Sequence, residues 1–153
     1  MERNELLKKV KKSFRIDELV CPHVYQRDGE LAWQYFPDAL LEQLIAIREI
    51  VGTMIVNNYS SGGQFSQRGL RCTLCSLVSA KSNAKMLYAS AHIMGQGIDF
   101  ASPTKTAEEV RNLLVENADK LPHPMRLEKD VKWVHFDMYQ PTNSKQKIVQ
   151  FNG

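Results

Sequence analysis

One long helical pattern, at residues 37–52, constrains the fold more than any other feature of the chain. Leu40, Leu41, Leu44, Ile47 and Val51 recur at helical spacing, Pro37 suits a first helical turn, and Gly52 ends the run. The other apolar runs are short. Residues 54–56 read as a buried strand and residues 98–100 as a strand end. Residues 131–138 alternate around Trp133 and His135, like a strand with one face in a site, and residues 148–151 read as a last strand at an edge. Thr106 and Glu109 make a capping box, which predicts a helix carrying Val110, Leu113 and Leu114. Residues 5–12 read as a short surface helix or a frayed end. Residues 14–20 alternate up to an expected turn at Cys21-Pro22. Residues 57–71 form a long polar, glycine-rich loop, a length usually tied to function or disorder. Residues 81–85 read as a second loop, and Pro122 and Pro124 break the chain. Helices mixed with short strands and long connections point to the α+β class.

Size and composition agree. At roughly 100–200 residues per domain, 153 residues predict a single domain over 1–153, with 1–13 as a loosely packed N-terminal helix. Hydrophobic residues make up 43% and charged residues 24%, which is ordinary globular composition and argues against a disordered chain. The net charge, 20 − 17 = +3, is too small and scattered to point to nucleic acid, although it suits an anionic polymer such as a cell wall. No run approaches the roughly 20 apolar residues of a membrane span. The N-terminal segment lacks the apolar core and cleavage site of a secretory signal. Synthesis in a cytoplasm is therefore expected, with exit by another route if the chain acts outside. Cys21, Cys72 and Cys75 are odd in number, so reduced thiols are the default.

Two segments concentrate the chemistry. Residues 90–99 carry His92 and Asp99 seven apart, with Gly95 and Gly97 between them. These glycines are expected to fold Asp99 back toward His92 and to leave room for a substrate. Residues 133–137 carry His135 and Asp137, which share a face if the segment is a strand. Three of these four groups could bind zinc and leave a fourth position for water, the form of a catalytic site. Spacing alone leaves this open against a plainer reading, in which a histidine beside a tryptophan is a satisfied, partly buried residue.

Both segments resemble the zinc motifs of the D-Ala-D-Ala carboxypeptidase and hedgehog-type metallopeptidases. The first is Ser90-Ala91-His92 running on to Gly95-Gln96-Gly97-Ile98-Asp99; the second is Trp133-Val134-His135-Phe136-Asp137. Residues 14–21 resemble the family's opening segment, and the helix at 37–48 with the strand at 54–57 resembles its long helix and following strand. The resemblance covers about residues 14–140. It implies a small antiparallel sheet with helices packed on one side, zinc held by His92, Asp99 and His135, and hydrolysis of peptidoglycan stem peptides or cross-links.

The chain departs from the family pattern at three places. Gly97 stands where members usually have alanine. Lys132 stands where many members carry a glutamate base, three residues before the second histidine; a subgroup with His-x-Asp implies Asp137 as base, with Asp130 in reserve. The family's substrate-binding arginine turn is replaced by Asn57-Asn58-Tyr59-Ser60-Ser61, so Arg71, 21 residues before His92, is the expected substitute, with a solvated loop arginine as the plainer reading.

The expected function is a zinc metallopeptidase acting on cell-wall peptides, of phage or prophage origin, released through a holin or carried on a virion. The competing expectation is a non-catalytic virion structural or wall-binding module on the same fold, which Lys132 and the missing turn arginine favour. A third reading is a zinc or redox protein built on Cys72 and Cys75. A structural zinc would need two more ligands, which Cys21 and His23 could supply, while buried thiols are the simpler account. His123, between two prolines, reads as a surface loop residue. The lysines at 8, 9, 11 and 12 read as a solvated helix face, and Trp33 and Tyr35 as packing under the loops.

Overall fold

A computed structural model describes residues 1–139 and 145–153. Residue 140, the end of the family resemblance, and residues 141–144 lie outside the described residues. The long helix forms where its spacing predicts. Helix α4 will denote Asp38–Val51, with Pro37 just before its first turn and Gly52, at φ 82°, just after its last. Leu40, Leu41, Leu44 and Ile47 are fully buried. Gln43 is buried too, and its amide bonds both the N–H and the carbonyl of His123 at 3.1 Å, tying the turn between Pro122 and Pro124 to the helix. His123 Nε2 also lies 2.6 Å from Glu42, so this histidine serves the helix contact.

Three short helices precede it: α1 (Arg3–Val10), α2 (Ile16–Leu19) and α3 (Pro22–Asp28). Helix α1 docks firmly on α4 through Leu6 and Val10, both fully buried, where a loosely packed end was expected. The alternating stretch at 14–20 closes into the single turn α2, because Glu18 accepts the backbone N–H of Arg15 at 2.7 Å and Ile16 and Leu19, three apart, share the buried face. Pro22 opens α3 at a first helical position and does not centre a turn. Trp33 is buried in a 3₁₀ segment, Gly29–Tyr35, with its indole N–H on Glu30 at 3.0 Å.

After α4 the segment expected as a strand makes one bridge, Ile55 to Ala101. Helix α5 (Ser76–Asn83) takes residues 81–83 of the loop expected at 81–85 and leaves 84–85 as a turn; it buries only Val78, so no apolar stripe announces it. Helix α6 (Ala107–Glu116) starts at the predicted box, with Thr106 Oγ1 accepting the Glu109 N–H at 3.1 Å and Glu109 accepting the Thr106 N–H at 2.8 Å.

The strands are β1 (Gly97–Phe100), β2 (Met125–Glu128), β3 (Val134–Asp137) and β4 (Ile148–Phe151), in the order β1-β3-β2-β4. The class is α+β, but the sheet is mixed, not antiparallel. β3 pairs antiparallel with β1 and β2, while β4 pairs parallel with β2. β4 runs antiparallel to β3, its predecessor, yet β2 already holds the place beside β3. β4 adds to the free edge of β2, in parallel. One sheet face carries Ile98, Phe100, Leu127, Val134 and Phe136, and is core. Phe100 and Phe136 meet edge to face at 6.5 Å, and α6 packs against both β3 and α4. Among the described residues, no helix is long and apolar enough to cross a membrane.

Candidate metal centre

The other sheet face carries the polar residues, and strand register decides which of them meet. Asp99 of β1 stands directly opposite His135 of β3, and Arg126 of β2 stands opposite Asp137. Opposed residues on one face approach to about 5 Å between Cβ atoms, so each pair can bond directly. Asp99 Oδ1 lies 2.7 Å from His135 Nδ1. Arg126 grips Asp137 with two bonds of 2.8 Å. The β2–β3 pairing ends at Leu127 with Phe136, one residue before Glu128, and Glu128 pairs with Phe151 of β4.

His92 comes from the turn before β1. Gly95 there adopts φ 65°, and a Cβ on it would sit 2.4 Å from the Tyr35 carbonyl oxygen. A Cβ on Gly97 would meet that of Ala91 at 2.8 Å. The glycines do bring Asp99 back to His92, but the space they leave is filled by this chain and not by a substrate. His92 Nε2 ends 3.3 Å from Asp99 Oδ2.

His92, Asp99 and His135 are all buried, and their ligand atoms lie within 4.8 Å of one another. Each histidine turns one nitrogen to this centre and the other to a fixed acceptor. His92 Nδ1 is 2.9 Å from the carbonyl of Gly69, and His135 Nε2 is 2.8 Å from Asp137 Oδ2. A neutral imidazole whose remote N–H is donated in this way has its near nitrogen free to ligate a metal. The triplet therefore fits a metal ion, and two imidazoles with one carboxylate suit zinc with a position left over.

The electrostatics favour a cation at this centre. Burial works against charging His135, but bonds to Asp137 and Asp99 outweigh it and raise the imidazole to about 9. Burial would raise Asp99, yet bonds from His135 and His92 hold it below the ordinary carboxylate range. Asp137 is lowered too, with His135 and Arg126 overcoming its burial. Without metal, a proton on His135 neutralises these carboxylates; a metal ion would compete for that place.

The triplet lines a pocket of about 550 Å³ together with Arg71, Glu128, Trp133 and Tyr139. Arg71 bonds the Gln67 carbonyl at 2.6 Å, the Tyr88 hydroxyl at 2.8 Å and Asp99 Oδ2 at 3.3 Å, so the loop arginine does reach the site. Asp137 meets the opposite ring nitrogen from the one that faces the triplet. It is 1% exposed, and its oxygens also take Arg126 and the Tyr139 N–H. Asp130, at φ 63°, is exposed in a bend and does not line the pocket. Lys132 is exposed and lines a different hollow beside α6.

Sequence reasoning missed Glu128, half-buried in the pocket wall. It also missed the pins of the 57–71 loop. Asn57 is buried, donates to the Val20 carbonyl at 3.0 Å and accepts the Arg68 N–H at 2.9 Å, while Asn58 accepts that of Phe65. Arg111, buried on α6, donates to the carbonyls of Val131 and Trp133 and fixes the approach to β3. A second group of metal-ligating side chains, Cys21, His23, Cys72 and Cys75, gathers within the same 4.8 Å limit.

No family model, no curated protein and no solved structure matches this chain. Site chemistry must therefore be argued from its own residues.

Proposed function

We propose that the chain is a zinc-dependent peptidase that hydrolyses peptide bonds in bacterial peptidoglycan, in stem peptides or cross-links. One observation carries the reading: two imidazoles and a carboxylate from separate segments converge in an open pocket, with both remote ring nitrogens engaged. The resemblance of residues 90–99 and 133–137 to the zinc motifs of cell-wall peptidases supports the substrate class.

His92 Nε2, Asp99 and His135 Nδ1 would hold the ion. Zinc bound there supplies a Lewis acid for a peptide carbonyl and brings water ionisation near neutral pH. Asp137, held by Arg126, fixes the ring of His135. Among the described residues, Glu128 is the remaining side-chain carboxylate of the pocket: Asp99 belongs to the triplet, Asp137 is bonded on both oxygens, and Glu128 follows directly on the last β2–β3 pair, Leu127 with Phe136. Its carboxylate accepts the proton of the attacking water and returns it to the leaving amine. Arg71 offers a guanidinium held at three points, suited to a peptide carboxylate or a developing oxyanion.

The test is turnover of purified peptidoglycan by the zinc-loaded protein, with released products identified by mass. Release of amino acids or peptides that stops on chelation and returns with zinc is expected. Glu128→Gln should lower kcat about 10²–10⁴-fold with zinc content unchanged. A loaded protein that releases nothing overturns the reading. Lys132, at the position of the usual glutamate, favours a second one, a wall-binding module without turnover. That reading predicts sedimentation with insoluble peptidoglycan and no released product.

A further inference from the structure

Cys21 immediately precedes α3 and His23 lies in its first turn; Cys75 immediately precedes α5, and Cys72 stands three residues earlier. The two pairs are about fifty residues apart in the chain, yet their ligand atoms converge within 4.8 Å. Cys72 Sγ lies 3.5 Å from His23 Nδ1 and 4.0 Å from Cys75 Sγ, and Cys75 Sγ lies 3.9 Å from His23 Nδ1. A tetrahedral zinc with bonds of about 2.3 Å to sulfur and 2.0 Å to nitrogen sets ligand edges of roughly 3.8 Å between sulfurs and 3.5 Å from sulfur to nitrogen. These three separations lie within about 0.4 Å of those edges.

Core packing alone does not explain the convergence. A cysteine packed as a small hydrophobe has no need to face other thiols and an imidazole nitrogen. Three sulfurs cannot all pair as disulfides. Cys21 and Cys75 are buried while His23 is exposed, so the cluster has a dry floor and an open side for metal entry.

We propose that Cys21, His23, Cys72 and Cys75 bind a second zinc ion in a closed, four-ligand structural site. The three thiols release their protons to solvent as the thiolates bind. Such a site would form whether or not the first centre is catalytic. Its position gives it a task. Leu70 bridges to Val20, and its carbonyl accepts the N–H of Cys21 at 3.0 Å. The neighbouring Gly69 carbonyl holds His92, and Arg71 reaches Asp99. Residues 69–72 thus run from one cluster to the other. Closing the thiolate site clamps the segment that orients His92 and Arg71.

Cobalt substitution of the reduced, full-length chain tests this. Thiolate-to-cobalt charge-transfer absorption in the near ultraviolet, with the strong visible bands of tetrahedral cobalt, is expected in the wild type. The bands should persist in His92→Ala, whose triplet is broken, and vanish in the double variant Cys72→Ser, Cys75→Ser. Zinc content should be two per chain in the wild type and one in His92→Ala. One zinc per chain with thiolate bands supports the four-ligand site and counts against the triplet. Absence of thiolate bands in the wild type overturns the proposal, whatever the folding of the double variant. Bands that survive at full strength in that variant overturn it as well.

Discussion

The two ligand clusters lie at opposite ends of one four-residue segment, and they differ in ways that assign them different work. The triplet offers two nitrogens and a carboxylate, three ligands on a pocket wall beside Arg71 and Glu128. The other cluster offers three sulfurs and a nitrogen, four side chains whose ligand atoms gather within 4.8 Å. Three ligands leave zinc a position for chemistry, and four close its shell. Their supports differ in the same sense. The remote nitrogens of the triplet are pinned by Gly69 and Asp137, whereas the thiol cluster joins the starts of two short helices to the loop at Cys72. On the roles proposed above, ligand number and softness separate a reactive centre from a brace.

Breaking each cluster alone sharpens that contrast. The largest effect is expected from His92→Ala. Losing a ligand should remove several kcal/mol of transition-state stabilisation, about 10³-fold or more in kcat, with a small change in the denaturation midpoint. Steady-state peptide release and urea unfolding read the two quantities. Next comes the double variant Cys72→Ser, Cys75→Ser, expected to lower unfolding free energy by about 4 kcal/mol or more, as loss of a structural metal does. Activity should fall with it, because residues 69–72 lose their anchor.

Asp137→Asn is expected to have a smaller effect than either. It leaves all three ligands in place but weakens the acceptor behind His135, so zinc affinity should drop about 10–100-fold, read by competition with a chromogenic chelator. Thr106→Ala sets the floor. It removes the cap of α6, remote from both clusters, and should cost about 1 kcal/mol in unfolding with zinc content unchanged.

The long helix α4 and the capped helix α6 were legible because their signals are local: a sustained apolar period and a reciprocal cap. Strand β2 was not, since four residues after a pair of prolines carry little pattern, and α5 was not because it buries a single apolar side chain. The parallel pairing of β4 depends on which sheet position β2 leaves vacant, a property no segment carries by itself. The same division holds at the site. His92, Asp99 and His135 stand in short motifs and could be picked out. Glu128 is brought to the pocket only by the pairing of β2 with its neighbours, and the Gly69 carbonyl is backbone, invisible to residue type. Cys21, His23, Cys72 and Cys75 were each visible, but their convergence depends on how Val20 and Leu70 pair.

Anomalous diffraction at the zinc absorption edge, from crystals grown with zinc, tests the triplet as a metal centre most directly. The predicted result is a peak about 2.0–2.2 Å from His92 Nε2, His135 Nδ1 and an Asp99 oxygen, with one coordination position facing the pocket. No peak there, with His135 still bonded to Asp99, would contradict it.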